Sequence, residues 1–167
     1  MNRGQGAALQ TGITYSLHQG AAYVVTFDGD GQHCVEDIPK LLLPIHENKV
    51  DVVLGSRFLG STENMLLSHR LLLKTAVVFT RMVSRIQITD THNGLRAFSH
   101  RAASRVQLTL DGMAHASELL DQVGRMHLSF TEVPVHVRYT AYACGTGQRF
   151  LTALRIVVDY LFGKMFA

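Results

Sequence analysis

Little of this chain is charged, and cysteine and proline are scarcer still. Charged residues make up 17% of the sequence against 47% hydrophobic, a balance that excludes disorder, coiled coil and fibrous sequence. The two cysteines, Cys34 and Cys144, are too few and too far apart for a disulfide framework or a zinc knuckle, and they point to a reducing compartment. Three prolines and fourteen glycines are ordinary usage, and no repeat at a fixed period signals a solenoid or propeller. No charge-free apolar run reaches the roughly 18 residues that a spanning helix needs, because Arg70, Lys74 and Arg81 interrupt the most apolar region. Met1-Asn2-Arg3-Gly4 opens no signal peptide, since no apolar stretch follows it. The nine histidines show neither HxxxH nor HExxH spacing, so His18, His46, His69, His115, His127 and His136 are read as surface or satisfied core residues.

What remains is a mildly basic globular chain of 167 residues with a formal charge of +3, long enough to bury roughly two-thirds of its surface as one domain. A charge of that size does not make a nucleic-acid binder, and no nucleic-acid partner is expected.

Along the chain, residues 6–18 carry Ala7, Ala8, Leu9, Ile13 and Leu17 near helical spacing behind Gly4 and Gly6, which predicts a helix with a glycine-rich start suited to an anion. Tyr23-Val24-Val25-Thr26-Phe27 is a continuous β-favouring run closed by acids and glycines, the pattern of a buried strand. A short helix follows within 34–49, a second buried strand over 50–55 and a long helix over 66–87. A third strand is predicted over 94–98, helices over 100–107 and 114–125, and a fourth strand, interrupted by Pro134, over 128–137. Alternation of this kind predicts an α/β sheet covered on both faces. Ligands of such sheets collect at the carboxyl ends of the strands, where Asp28, Asp30 and Arg57 fall.

Asp28-Gly29-Asp30 sets two carboxylates one residue apart in a glycine-flanked loop. Hard oxygen ligands of this kind suit Mg²⁺ or Mn²⁺, which keep several waters and bridge to substrate phosphates. A solvated turn is the bland alternative, since Asp and Gly are turn residues. Gln32 and His33 extend the loop toward the same ion or its waters, and Cys34 is read as a small packing residue.

The run from Asn2-Arg3-Gly4-Gln5-Gly6-Ala7-Ala8-Leu9, through Val24 to His33 with Glu36-Asp37-Ile38, to Val53-Leu54-Gly55-Ser56-Arg57-Phe58 resembles a family 2 glycosyltransferase of the GT-A fold. Downstream, Asp90-Thr91-His92-Asn93-Gly94-Leu95-Arg96-Ala97-Phe98 resembles the acceptor-side motif of that family, and Glu132-Val133-Pro134-Val135 with Tyr139 its last core strand. The pattern is nearest to polyprenyl- and dolichyl-phosphate sugar transferases and small bacterial transferases of cell-envelope glycans. The resemblance implies a GT-A type, Rossmann-like, mostly parallel sheet flanked by helices over residues 1–140. It also implies a nucleotide-sugar donor and a lipid-phosphate or glycan acceptor.

By the same resemblance, Asp28, Asp30 and Gln32 hold Mg²⁺ or Mn²⁺, which neutralises the departing nucleotide diphosphate. Asn2, Arg3, Gly4 and Gly6, with Asp28, lie at the donor. Arg57 and Arg96 hold the acceptor phosphate through guanidinium forks; the alternative for them is a buried ion pair at the sheet edge, with Asp51 or Asp90. Asp90 is the first candidate for a base or for organising those arginines, with Glu118 second and Asp30 beside the metal. The family's first strand, with its Pro-x-x-Asn-Glu motif, and its second have no counterpart here, so the domain is expected to be N-terminally incomplete.

On a helical wheel, Arg70, Lys74, Arg81 and Arg85 share about a 60° sector of an otherwise apolar helix. This stripe is read as facing anionic head groups or a polyprenyl phosphate, with a solvated face of a core helix as the alternative. Residues 141–167 form an amphipathic tail, with Phe150, Leu154, Val158, Leu161 and Met165 on one side and Arg155 and Asp159 opposed. That tail can lie on a membrane, pack on the core or pair with a second subunit as a homo-oligomer. The expected location is cytoplasmic, at the inner face of the membrane. Two other functions fit parts of the pattern. A haloacid-dehalogenase-like phosphohydrolase would use Asp28 as nucleophile and Asp30 as acid/base, but Gln32 stands where that family has Thr or Val and no later paired-acid motif follows. An inactive transferase-like module would bind a partner or lipid instead.

Overall fold

The computed structural model describes residues 3–139; the tail beyond, with Cys144, and Asn2 lie outside the described residues. Ten elements follow in order, nine of which need names: α1 (Gln5–His18), β1 (Tyr23–Thr26), a 3₁₀ turn (Val35–Asp37), α2 (Ile38–His46), β2 (Val52–Glu63), α3 (Leu67–Ser84), β3 (Arg96–Ser99), α4 (His100–Arg105), α5 (His115–Arg125) and β4 (Phe130–Arg138). The strand starts and most helix starts stand within two residues of where the apolar spacing predicts them, but the helix expected over 34–49 divides into the 3₁₀ turn and the shorter α2, and α3 ends three residues before 87. The other exception is β2, which runs on past Gly55 to Glu63. Its second half is largely exposed and pairs with His136, Val137 and Arg138 of β4 across a register shift between Ser56 and Ser61, so no buried apolar run announces it.

The four strands lie in the order β1-β3-β2-β4. β4 is parallel to β2, whereas β3 pairs antiparallel with both β1 and β2. β1, β2 and β4 therefore share one direction and β3 runs against them. Successive side chains of a strand point to opposite faces, and each face has its own core. Val52, Leu54 and Phe98 pack on one side with Ile13 of α1, Ala102 of α4 and Leu119, Leu120 and Val123 of α5. Val53, Ala97, Val135 and Val137 pack on the other with Leu41 and Ile45 of α2. Both faces are covered, as the sequence predicts.

Helix α4 starts at a true cap: the Ser99 side chain accepts from the Ala102 N–H, the arrangement that satisfies an orphan donor of the first turn. At the opposite end of the sheet from the candidate site, Asp51 accepts from Ser99, Ser129 and Arg101. Asp51 is thereby taken up by a contact that ties β2, β3 and β4 together.

Candidate active site

One row of residues crosses the sheet: Thr26 pairs with Arg96, Arg96 with Leu54, and Leu54 with Glu132. Just past that row the chain carries Asp28 after the end of β1 and Arg57 midway along β2, where the buried half of that strand gives way to its exposed half. Because β3 is antiparallel, its first residue, Arg96, stands at this same edge, and so does the 89–95 segment leading into it. A reversed strand thus delivers the downstream motif to the upstream acids.

Asp28 is held from two sides. Gln5 Nε2 donates to its Oδ1 at 3.0 Å, and His33 Nε2 lies 3.5 Å from its Oδ2. The His33 contact, more than the neighbouring charges of Arg96 and His115, keeps its carboxyl below the usual carboxylate range. It stays ionised. Gly94 makes room for it: a Cβ there would sit 2.0 Å from Asp28 Oδ2. Asp30 Oδ1 accepts from the Gln32 N–H at 3.0 Å, and the Gln32 carbonyl accepts from the Arg138 N–H at 2.9 Å; these contacts of Gln32 are made by its backbone. Among the described residues no group of three or more His, Cys, Asp and Glu converges as a metal cage. An ionised Asp28 beside Asp30 in a tight loop is therefore an incomplete set of hard oxygen donors. It fits Mg²⁺ or Mn²⁺ completed by water and substrate phosphate, and it does not fit a closed structural site.

Arg57 and Asp90 form a buried ion pair. Arg57 Nε lies 2.6 Å from Asp90 Oδ2, and the Arg57 backbone N–H donates to the same oxygen at 3.0 Å. Arg57 Nη1 donates to Tyr139 Oη at 2.7 Å and Nη2 to the His92 carbonyl at 2.6 Å. Of the guanidinium's five N–H donors, three are engaged in this way. Arg96 is buried as well, with Nη2 donating to the Thr91 carbonyl at 3.1 Å. Burial lowers its pKa to about 10, with Asp28 and Asp90 opposing that shift, so it remains a cation at neutral pH. Four consecutive residues each leave a buried polar atom without a partner among the described residues: Asp90 Oδ1, Thr91 Oγ1, His92 Nδ1 and Asn93 Nδ2. Buried polar atoms are normally satisfied, by protein or by water, and four in a row set this segment apart from the rest of the described chain.

The start of α1 is occupied by protein. Arg3 pairs with Asp111 at 3.0 Å, and the Gly6 N–H donates to the Asp111 carbonyl at 2.8 Å. Gly4, at φ +114°, and Gly6 allow this approach, since a Cβ would come within 2.4 Å of Asp111 O at Gly4 and 2.0 Å of Leu110 O at Gly6. Glu118 takes the N–H groups of Thr109 and Leu110 and the Thr109 hydroxyl, so its carboxylate holds a loop. On α3, Leu73, Val77, Thr80 and Ser84 form the buried stripe, while Arg70, Lys74 and Arg81 are exposed, as is Arg85 just past the helix end. Leu67, Leu71, Val78 and Met82 are exposed too, at 82%, 68%, 55% and 68%. No helix among the described residues is long and apolar enough to cross a membrane.

Gln5, Tyr139 and Glu132 lie inside or beside the motifs without drawing a role from sequence, because their partners are far away in the chain. The single polar side chain between Gly4 and Gly6 was the available signal for Gln5.

The sequence pattern described as Glycosyl transferase family 2 matches residues 1–107. An uncharacterised Methanocaldococcus jannaschii protein is 33% identical over 99% of this chain and 70% of its own length. A Methanococcus voltae protein named UDP-N-acetylglucosamine–dolichyl-phosphate N-acetylglucosaminyltransferase is 33% identical over 98% of this chain and 67% of its own. Among solved structures, glucosyl-3-phosphoglycerate synthase from Mycobacterium tuberculosis, in complex with Mn²⁺, uridine-diphosphate-glucose and phosphoglyceric acid, superposes with a TM-score of 0.66 at 16% identity, covering 95% of this chain and 54% of that one. The chain thus spans about half the length of the solved structures it matches and about two-thirds of these sequence relatives.

Proposed function

Because the chain belongs to glycosyl transferase family 2, we propose that it moves a sugar from a nucleotide-diphosphate donor to a polyprenyl-phosphate or cell-envelope glycan acceptor, with inversion at the anomeric carbon. Family membership replaces the phosphohydrolase alternative. The observation that carries the proposal is the meeting of Asp28, Arg96 and the Arg57–Asp90 pair at one sheet edge. Anionic groups on a donor and on an acceptor phosphate can then be met at one edge of the sheet.

Asp28 and Asp30 would hold the divalent ion, Mg²⁺ or Mn²⁺, which when bound neutralises charge on the departing diphosphate. Gln5 and His33 orient Asp28. The chain around Arg3, Gly4 and Gly6 shapes the donor side through its contact with residues 110 and 111, and Asn2 belongs to that side by the family pattern. Arg96, with donors left beyond its Thr91 contact among the described residues, and Arg57, with two of five unengaged among them, bind the acceptor phosphate. One acceptor oxygen forms the bond to the anomeric carbon while the bond to the diphosphate breaks, its electron pair leaving with the nucleotide. A phosphate acceptor brings its own negative charge and needs no base. A hydroxyl acceptor would pass its proton to Asp90. The name of the Methanococcus voltae relative supports the lipid-phosphate class.

Residues 1–140 form the transferase portion in this proposal. The exposed apolar side of α3, flanked by Arg70, Lys74 and Arg81, supports peripheral contact with an anionic membrane at its cytoplasmic face. Flotation with liposomes should depend on anionic lipid, and no such dependence removes the membrane contact.

Isothermal titration with UDP and GDP, with and without Mn²⁺ and repeated on Asp30→Ala, tests the donor site. Metal-dependent binding to one nucleotide, lost in the variant, is expected. No binding to either by a folded protein would favour the inactive binding module.

A further inference from the structure

Glu132 lies on β4 beside Leu54, yet its carboxylate turns to the segment that leads into Asp90. Oε1 accepts from the Thr89 N–H at 2.9 Å, the Thr89 hydroxyl at 3.0 Å and the Asp90 N–H at 3.1 Å, and Oε2 lies 2.8 Å from the Thr89 nitrogen. Thr89 Oγ1 also lies 2.6 Å from Ser56 Oγ, and Ser56 is the residue before Arg57. One carboxylate therefore reaches both partners of the buried ion pair: Asp90 through its own N–H, and Arg57 through Thr89 and Ser56. Both N–H groups of Arg57 that meet Asp90 fall on Oδ2, which leaves Oδ1 buried and without a partner among the described residues.

We propose that Glu132 is a positioning residue for acceptor recognition, locking residues 89 and 90 so that Asp90 fixes Arg57 through one oxygen and holds its guanidinium where it meets the acceptor phosphate. The proposal rests on the transferase reading of Asp90 and Arg57. Burial is the main influence on the Glu132 carboxyl and raises its pKa, while the three donors oppose this. Three donors from residues 89 and 90 engage this half-buried carboxylate, so it acts through what it holds. Placement at the reacting end matters because a displacement of about 1 Å can lower a rate about 100-fold.

The test uses Glu132→Gln, Glu132→Ala and Asp90→Asn, alone and combined, in the whole chain, each checked by melting for a folded state. Transfer to a polyprenyl phosphate is followed for kcat and for KM of each substrate, and crystal structures report the positions of residues 89–93. Glu132→Ala is expected to lower kcat about 100-fold, to leave the nucleotide-sugar KM within about 3-fold, and to add little in the Asp90→Asn background. Glu132→Gln, which retains an acceptor oxygen for the same donors, should recover to within about 10-fold of the parent. If Glu132→Ala fails to fold, Thr89→Val, which removes the hydroxyl link to Ser56, undergoes the same kinetic comparison. Losses that multiply in the double variant, or an Asp90 that stays on Arg57 in Glu132→Ala crystals, overturn the proposal. If the parent transfers no sugar, the transferase reading fails by itself, and displacement of residues 89–93 in the variant crystals still decides whether Glu132 positions them.

Discussion

Arg57 places its backbone N–H and its Nε on a single oxygen of Asp90, 33 residues away, with 6% of the Arg57 side chain and 1% of the Asp90 side chain exposed. A pair this dry is costly to break and cheap to replace, because removing one partner leaves an uncompensated buried charge. Asp90→Ala should therefore destabilise the fold by about 3–5 kcal/mol, and an Arg57→Met, Asp90→Leu double replacement should recover most of it. Urea unfolding of the three proteins measures this, and a loss under about 1 kcal/mol for Asp90→Ala would place the pair with solvated surface bridges.

Gly94 has no unusual backbone angle; it is small because Asp28 lies against it. In Gly94→Ala the new methyl meets the end of the Asp28 side chain at 2.0 Å, and a side chain yields more readily than backbone. The expected outcome is a folded protein whose Mn²⁺-dependent nucleotide affinity drops about 10-fold or more, since the carboxylate proposed to hold the ion is turned away. Titration calorimetry reports it, and unchanged affinity would remove Asp28 from the metal site.

His69, His92 and His115 are each held below the ordinary histidine value of 6.5, burial being the main cause, and His92 falls to about 4. Each binds fewer protons folded than unfolded in that interval, so stability is complete above about pH 6.5 and is lost as pH falls toward 4. Asp28, Asp37 and Asp51, lowered from 3.8, extend the loss below that range. Urea midpoints at pH 7.5, 5.5 and 4.5 should decline in order, and His92→Asn should flatten the decline. A flat profile in the parent would contradict it.

At Gly6 the obstacle is backbone. A Cβ would approach Leu110 O to 2.0 Å and the His115 Cβ to 3.0 Å, so Gly6→Ala must push α1 off the 110–115 segment. A loss of about 1–3 kcal/mol is expected, even though alanine favours a helix over glycine by about 1 kcal/mol. Thermal melting tests the sign: a stabilised variant would mean that α1 is not pinned there.

Helix and strand positions were legible because periodicity is a local property: Ile13, Leu41 and Ile45, Leu119 and Leu120 sit at spacings that bury one face wherever the helix goes. The Asp28-Gly29-Asp30 loop was legible for the same reason, as acids and glycines closing an apolar strand. The far half of β2 was not, since its exposed residues are held by pairing with β4 and leave no hydrophobic pattern.

By itself, the sequence determined the family, the alternation of helices and strands, and which residue types could carry chemistry, since motifs and periodicities are written in neighbouring residues. Only the tertiary structure decided that β3 runs against its neighbours and so carries Arg96 to the edge where Asp28 waits. It also decided that Asp90, among the acids available, takes Arg57 while Asp51 takes Arg101. A four-residue strand has no directional signature of its own. Partner choice among buried charges depends on which backbone segments the sheet brings within hydrogen-bond reach, and desolvation then penalises every charge left without an opposite.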